Sequence, residues 1–169
     1  QEIEARELGI QDNTVLTVGS FHGGNSGKHT KIKGVCGHAD FGLTGKAVPD
    51  NINRYKVQLM KEMGSNGFRS HYPVNDAMMD AFDEMGMIVI AETRWFSSTE
   101  MCVEELRMAV KRDRNRPSVF FWSFGDEEPD AYNEWGVRIF NSMKAEVRRL
   151  DKSRPCTMAV CCFVTTNKL

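Results

Sequence analysis

The stretch from Arg112 to Glu128 reads RDRNRPSVFFWSFGDEE and changes character twice along its length. A charged segment ends at a Pro-Ser pair, an apolar run follows over residues 119–123, and the run then gives way to Asp126, Glu127 and Glu128. A short apolar run with such boundaries is typical of a buried strand in a parallel sheet. Ligands of α/β folds gather at the carboxyl ends of the strands, so this stretch predicts an acidic site at a strand end.

The three adjacent carboxylates can be interpreted in two ways. Their mutual repulsion favours the retention of a proton by one of them, and a carboxylic acid that keeps its proton near neutral pH can act as a general acid. Alternatively, they form a solvated acidic loop whose charge is favoured by the dipole of the helix that begins near Pro129. The residue types alone leave both interpretations open.

Strand and helix patterns alternate four times after Lys31 and end in a fifth apolar run. The predicted strands cover residues 32–36, 67–69, 87–91, 119–123 and 156–164. Such alternation predicts an α/β fold with a parallel sheet and right-handed crossovers. The sheet is either open and doubly wound or part of an eight-stranded barrel. No glycine-rich turn follows the first strand, so a nucleotide-binding open sheet has little support.

The first predicted helix has a clear apolar spacing. Its buried face is predicted from the residues at helical intervals, namely Ile52, Tyr55, Leu59, Met60 and Met63. Residues 1–30 are polar and contain a glycine-rich stretch without a phosphate-binding motif, which predicts a loose hairpin loop.

Composition narrows the classes of partner. The 169 residues carry 22 basic and 23 acidic side chains and show no basic stripe, which argues against nucleic acid as a ligand. No apolar run is long enough to span a bilayer, so no membrane partner is expected. Five cysteines without metal-ligand spacing indicate reduced thiols and a cytoplasmic location, although a periplasmic or secreted full-length protein stays open. The first residue is Gln, so the chain is expected to be processed, truncated or part of a longer protein.

Ionisable side chains follow each of the first four predicted strands. Because parallel strands end on one rim, these side chains are expected to converge there and to form a site for a polar ligand. The candidates are His38, Asp40, Arg69, His71, Glu92, Asp126 and Glu127, with Trp95 and Trp122 nearby as rings that can stack on a sugar.

Several of these residues have a competing structural role. Arg69 is also interpreted as an ion-pair partner of Glu92, and His71 as a residue that fixes a turn. Trp122 is favoured as a core residue. A metal site built from His38, Asp40 and His71 is the least favoured alternative, so neither a metal ion nor a cofactor is predicted.

Three segments together resemble glycoside hydrolase family 2, which contains β-galactosidases, β-glucuronidases and β-mannosidases. They cover residues 33–40, 60–73 and 112–127, in the order and spacing of the family's motifs. The resemblance implies that residues 31–169 are the N-terminal part of a TIM barrel, with about four βα units and a fifth strand. It implies that residues 1–30 are a short β remnant of the preceding sandwich domain.

The resemblance also implies a retaining glycosidase that hydrolyses terminal β-linked sugars such as β-galactosides. Glu127 matches the family's general acid/base. His38, Asp40, Arg69, His71 and Glu92 match substrate-pocket or supporting positions, and Asp126 stands at the family's Asn position; Trp95 is added as a substrate-binding residue for its ring alone. The family's nucleophile belongs to the seventh strand and would lie beyond this chain, so the 169 residues alone are not expected to be active.

Two departures from the family pattern favour a second hypothesis. Asp126 stands where the family usually has Asn, and the step from Arg69 to His71 is one residue shorter than usual. The alternative is a non-catalytic half-barrel that binds sugar or assembles with a partner chain. In either case, the expected partners are a carbohydrate and either the remainder of the barrel or another copy of the chain, because half a barrel leaves open edges.

Overall fold

The computed structural model describes residues 31–160, which form one parallel sheet flanked by helices. The predicted alternation of strands and helices is confirmed. The elements are β1 (Gly34–Gly37), α1 (Asp50–Glu62), β2 (Gly67–Ser70), α2 (Asp76–Met85), β3 (Ile88–Glu92), α3 (Glu100–Asp113), β4 (Val119–Asp126), a short 3-10 helix (Pro129–Tyr132), α4 (Glu134–Leu150) and β5 (Cys156–Ala159). The predictions for residues 1–30 and 161–169 lie outside the described residues.

The order of the strands decides between the two closures that the sequence left open. The sheet runs β1-β2-β3-β4-β5, and every neighbouring pair is parallel. A doubly wound sheet reverses its strand order at a switch point, whereas a βα barrel adds each new strand beside the previous one. The described part of the chain is therefore a partial (β/α)8 barrel.

The two faces of the sheet differ in polarity. The helix-facing side contributes Phe68, Val89, Trp122 and Phe124 to the main hydrophobic core with α1 to α4. A smaller cluster of Ile32, Ile90 and Phe121 forms a second apolar layer. Because side chains alternate along a strand, the residues two positions after Ile90 and Phe121, which are Glu92 and Ser123, share their face at the carboxyl ends. On this face of the sheet, the apolar layer of Ile90 and Phe121 therefore lies directly below a polar layer that contains Glu92 and Ser123.

The predicted buried face of α1 is wrong for three of its five residues, whereas Met60 packs against the core and Ile52 is half-buried. The helix buries Asn53 and Val57 and leaves Tyr55, Leu59 and Met63 exposed. It packs against α2, and an ion pair between Arg54 and Glu84 links the two helices. Arg54 lies on the opposite side of the helix from the exposed apolar stripe. On the stripe's side, β1 has no strand neighbour among the described residues, so no neighbouring helix covers the stripe.

None of the helices within residues 31–160 combines the length and the apolar character needed to cross a bilayer.

Trp122 is a core residue, as the sequence favoured, and it joins β4 to the end of α4. Its indole Nε1 donates a 2.9 Å hydrogen bond to Asp151 Oδ2. Asp151 also accepts bonds from Ser153 and Arg154. Burial by itself raises the pKa of Asp151, but these bonds outweigh it and hold the pKa well below the usual range.

We therefore expect Asp151→Asn to lower the free energy of unfolding at pH 7 by about 2 kcal/mol, because charge-assisted bonds to the carboxylate are lost. The folded-state pKa is depressed, so the carboxylate's contribution is present above its unfolded pKa of about 4 and is lost as the pH falls further. In urea titrations the difference between wild type and variant should consequently begin to shrink as the pH falls through about 4, and it should go on shrinking at lower pH because the folded-state pKa is much lower. The exposed Glu62→Gln serves as the control and should change stability by less than about 0.5 kcal/mol. A constant difference across pH would contradict the prediction.

Candidate functional site

The carboxyl ends of β2, β3 and β4 bring four of the predicted residues together. Arg69 lies near the end of β2, Glu92 ends β3 and Asp126 ends β4, while His71 follows β2 directly. β4 is three residues longer than the sequence indicated, because Asp126 pairs with Ala159 of β5 after a register shift. The expected convergence on one rim is therefore observed for these residues.

A bidentate ion pair forms the centre of the site. Arg69 Nε donates to Glu92 Oε2 at 2.8 Å, and Arg69 Nη2 donates to Glu92 Oε1 at 2.9 Å. Ser123 Oγ donates a further 2.6 Å bond to Glu92 Oε2. The Glu92 side chain is 0% exposed, so its charge is stabilised by protein donors and not by water. The ion pair between Arg69 and Glu92, which was one interpretation of Arg69 from the sequence, is therefore observed. Ser123 also belongs to this site, although the sequence did not indicate it.

Asp126 extends the ion pair toward the rim. Arg69 Nη2 also donates to Asp126 Oδ1 at 2.7 Å, and His71 Nδ1 lies 3.2 Å from Asp126 Oδ2 and 3.3 Å from Glu92 Oε1. Burial by itself lowers the pKa of Arg69, but the bonds and charges of Glu92 and Asp126 outweigh it and raise the pKa. The guanidinium therefore stays charged and holds both carboxylates at fixed positions.

Cys36 lies on β1 beside Arg69 in the sheet register. Burial raises the pKa of the Cys36 thiol, and the nearby guanidinium offsets only part of that rise. The thiolate is the reactive form of cysteine, so this residue is a poor nucleophile near neutral pH.

Glu127 directly follows Asp126 and has an unusual backbone. Its φ is 61°, and it is the one non-glycine residue with a positive φ within residues 31–160. Its backbone N–H donates to the Ala159 carbonyl at 3.2 Å, and its side chain is exposed. A left-handed conformation is costly for a residue with a Cβ, and such conformations cluster at functional sites. The bonds made by the Asp126 side chain and by the Glu127 N–H anchor the backbone immediately before the Glu127 Cα.

The remaining predicted residues lie further from the ion pair. The His38 ring is 6.1 Å from His71 and 5.7 Å from the Tyr72 ring, so His38 borders the network. Asp40 is exposed, and its carboxylate makes no hydrogen bond within the described part of the chain. Trp95 is 46% exposed and stacks with Arg94. Asp40 and Trp95 are therefore on the rim but outside the hydrogen-bonded network.

The structure groups possible metal ligands differently from the alternative weighed on the sequence. His71, Glu92 and Asp126 offer ligand atoms within 4.8 Å of one another, whereas the sequence suggested His38 and Asp40 beside His71. Arg69 already donates to both carboxylates of the observed group. The Arg69 guanidinium thus already supplies a positive charge to these carboxylate oxygens. That the reaction uses no metal ion stays a prediction.

A parallel βα sheet with clamped carboxylates on its carboxyl-terminal rim defines a barrel-type α/β domain with a polar site. Comparison with known families is consistent with this class. The family model "Glycosyl hydrolases family 2, TIM barrel domain" matches residues 25–100 and 94–166. The chain belongs to this family.

The relatives in this family carry glycosidase names. A β-galactosidase of Bacteroides ovatus, BoGH2A, is 38% identical over 124 residues, which are 64% of this chain and 14% of that protein. A β-glucuronidase of Sus scrofa is 31% identical over 153 residues, covering 84% of this chain and 22% of that protein. The chain therefore spans less than a quarter of the length of these two relatives.

Solved structures agree with the fold. A glycosyl hydrolase family 2 member of Bacteroides cellulosilyticus superposes with a TM-score of 0.76 at 35% identity, over 82% of this chain and 20% of that one. A β-galacturonidase of Eisenbergiella tayi superposes with a TM-score of 0.71 at 24% identity, over 96% of this chain and 28% of that one, and supports the fold alone.

Proposed function

We propose that this chain is the acid/base-bearing part of a retaining β-glycosidase that hydrolyses terminal β-linked sugars such as β-galactosides. Glu127 is the general acid/base: it donates a proton to the glycosidic oxygen and later takes one from water. The observation that carries the proposal is the placement of Glu127, an exposed carboxylate with a strained backbone, next to the clamped Asp126 on the rim.

The neighbouring residues bind and position the sugar in this proposal. Arg69, Glu92 and Asp126 hold one another in fixed positions, because each makes at least one hydrogen bond to another of the three. His38, Asp40, His71 and Trp95 offer polar groups or an aromatic ring for sugar hydroxyls and sugar faces. The names of the relatives support a β-glycoside as the substrate, and β-galactoside is our choice among the sugars that those names contain.

The nucleophile is supplied from outside the described residues. A retaining mechanism requires a second carboxylate about 5 Å from the acid/base. Glu92 and Asp126 are the carboxylates of the hydrogen-bonded network, and both are engaged by Arg69. Neither is therefore a free nucleophile. We use "complete enzyme" for this chain together with the remaining strands of the barrel.

Hydrolysis of aryl β-galactosides and β-glucuronides by the complete enzyme tests the proposal. We expect release of the aglycone, with the β-anomer of the sugar as the first product seen by proton NMR. Residues 1–169 alone should release none, because the second carboxylate is missing. A complete enzyme that cleaves neither substrate, or that first yields the α-anomer, would refute a retaining β-glycosidase.

The second candidate is a non-catalytic half-barrel that binds sugar or assembles with a partner. The exposed stripe of Tyr55, Leu59 and Met63 on α1 favours assembly, because apolar surface of this kind is normally covered. Saturable sugar binding or dimer formation by residues 1–169, with no turnover by the complete enzyme, would select this candidate. The cytoplasmic location stays a prediction.

A further inference from the structure

Three loops at the carboxyl-terminal rim bring two cations onto one aromatic ring. Lys46 belongs to the loop between β1 and α1, Tyr72 to the loop after β2, and Arg94 to the loop after β3. Lys46 Nζ lies 4.6 Å from the centroid of the Tyr72 ring, and Arg94 Cζ lies 6.0 Å from it. These distances are in the range of cation–π contacts. Two positive charges therefore lie within 6.0 Å of the centre of the Tyr72 ring.

These cations are not neutralised by carboxylates. Within residues 31–160, neither Lys46 nor Arg94 makes an ion pair with Asp or Glu, and both side chains are exposed. Asp40, which is in the same loop as Lys46, interacts instead with Lys56: burial lowers the pKa of Lys56, and the charge of Asp40 opposes that change. The surroundings of the Tyr72 ring thus carry two positive charges without a paired carboxylate among residues 31–160.

The pair of cations is continuous with the site. The Tyr72 ring lies 5.6 Å from the His71 ring, and His71 contacts Asp126, which precedes Glu127. Arg94 also stacks over the exposed Trp95 at 5.0 Å. A ligand whose reacting bond is at Glu127 and that extends over His71 and Tyr72 would bring a part remote from that bond to Lys46 and Arg94.

We propose that Lys46 and Arg94, held by Tyr72, form a subsite for an anionic group on the sugar next to the terminal one, a carboxylate or a sulfate ester. Guanidinium binds such planar or tetrahedral oxyanions through two parallel N–H donors, and the ammonium adds a point charge. Trp95 supplies a ring face for the apolar side of the same sugar. This subsite deepens the proposed function and rests on it in taking the ligand to be a carbohydrate whose terminal sugar lies at Glu127.

Binding is measured by calorimetry with the complete enzyme and three S-linked disaccharides, which are not hydrolysed. Each has a terminal β-galactosyl residue; the second sugar is galactose, galacturonic acid or sulfated galactose. We expect both anionic ligands to bind at least about tenfold more tightly than the neutral one at low salt. The preference should shrink toward physiological salt, because the Debye length falls to about 8 Å.

Variants separate this subsite from general surface charge. Arg94→Gln and Lys46→Gln should each remove most of the preference for anionic ligands and leave the affinity for the neutral one unchanged. Arg94→Lys keeps the charge but loses the two parallel donors, so an intermediate preference is expected. The matched control is Arg138→Gln, which removes an exposed arginine that stacks at 5.9 Å on Trp135 and should leave the preference intact.

Equal binding of the three ligands by the wild type overturns the subsite, and so does an equal effect of Arg94→Gln and Arg138→Gln. Because the ligands are not cleaved, this result is independent of hydrolysis. An active enzyme without the preference refutes only the subsite. An inactive protein that shows the preference refutes only the proposed reaction.

Discussion

In the complete enzyme, Glu127→Gln is expected to lower kcat/KM for an alkyl β-galactoside by about 10²- to 10⁴-fold, the usual contribution of general acid catalysis. The loss should decrease as the leaving group becomes less basic, because a good leaving group needs little protonation. For an activated aryl galactoside, hydrolysis of the glycosyl-enzyme then becomes limiting, since the amide cannot take a proton from water. Azide attacks without giving up a proton, and it should therefore restore turnover with glycosyl azide as the product.

Glu128→Gln is the matched control for this series. It removes an adjacent carboxylate of the same acidic stretch, and it should change kcat/KM by less than about threefold, as expected for a residue without a catalytic role. A loss in Glu127→Gln that is independent of the leaving group would contradict the assignment. An equal loss in Glu128→Gln would indicate that the stretch acts through its total charge.

The second large effect is expected for Glu92→Gln, which should lower the free energy of unfolding by about 3–5 kcal/mol. The Glu92 carboxylate accepts bonds from two nitrogens of Arg69 and from Ser123. An amide offers one oxygen and one NH₂ group, so at least one of these donors would face another donor. The Arg69 side chain is only 15% exposed, and water therefore cannot replace the lost charge. Urea unfolding at pH 7 measures the change.

A double variant separates stability from positioning in this prediction. Replacing Arg69 by Met together with Glu92 by Leu removes the buried charges as a pair, and such replacements are often neutral or stabilising. We expect the double variant to recover most of the stability lost in Glu92→Gln. It should not recover hydrolysis, because Asp126 loses its bond from Arg69 and no longer anchors the backbone before Glu127. Recovery of both properties would show that the ion pair has no positioning role. As a smaller reference, Ser123→Ala should cost about 1 kcal/mol.

The alternation of strands and helices was predictable because it depends on local spacing and on the residues that begin and end each element. Asn75 accepts a bond from the Met78 backbone at the start of α2, and Gly86 ends the helix with a φ of 67°. The convergence of Arg69, Glu92 and Asp126 was predictable for a related reason, since neighbouring parallel strands joined by helical crossovers end on one rim.

The face of α1 was not predictable in the same way. A spacing of apolar residues shows that a helix has an apolar side, but not which neighbour covers that side. Tyr55, Leu59 and Met63 fit the helical period and are exposed, whereas Asn53 is buried and donates to the Val48 carbonyl. The packing partner decides burial, and here α2 lies on the other side of the helix.

The sequence by itself determined the order of the elements, the parallel sheet and the set of ionisable residues at its rim, because these follow from local pattern and chain connectivity. Only the tertiary structure decided which of those residues touch. Glu92 and Asp126 both form ion pairs with Arg69, and Asp40 lies outside this hydrogen-bonded network. Glu127 has a left-handed backbone conformation that its residue type did not predict. Contacts between residues distant in the chain depend on the register of the paired strands and on the direction of each side chain. The spacing of residues within a single segment predicts neither of these.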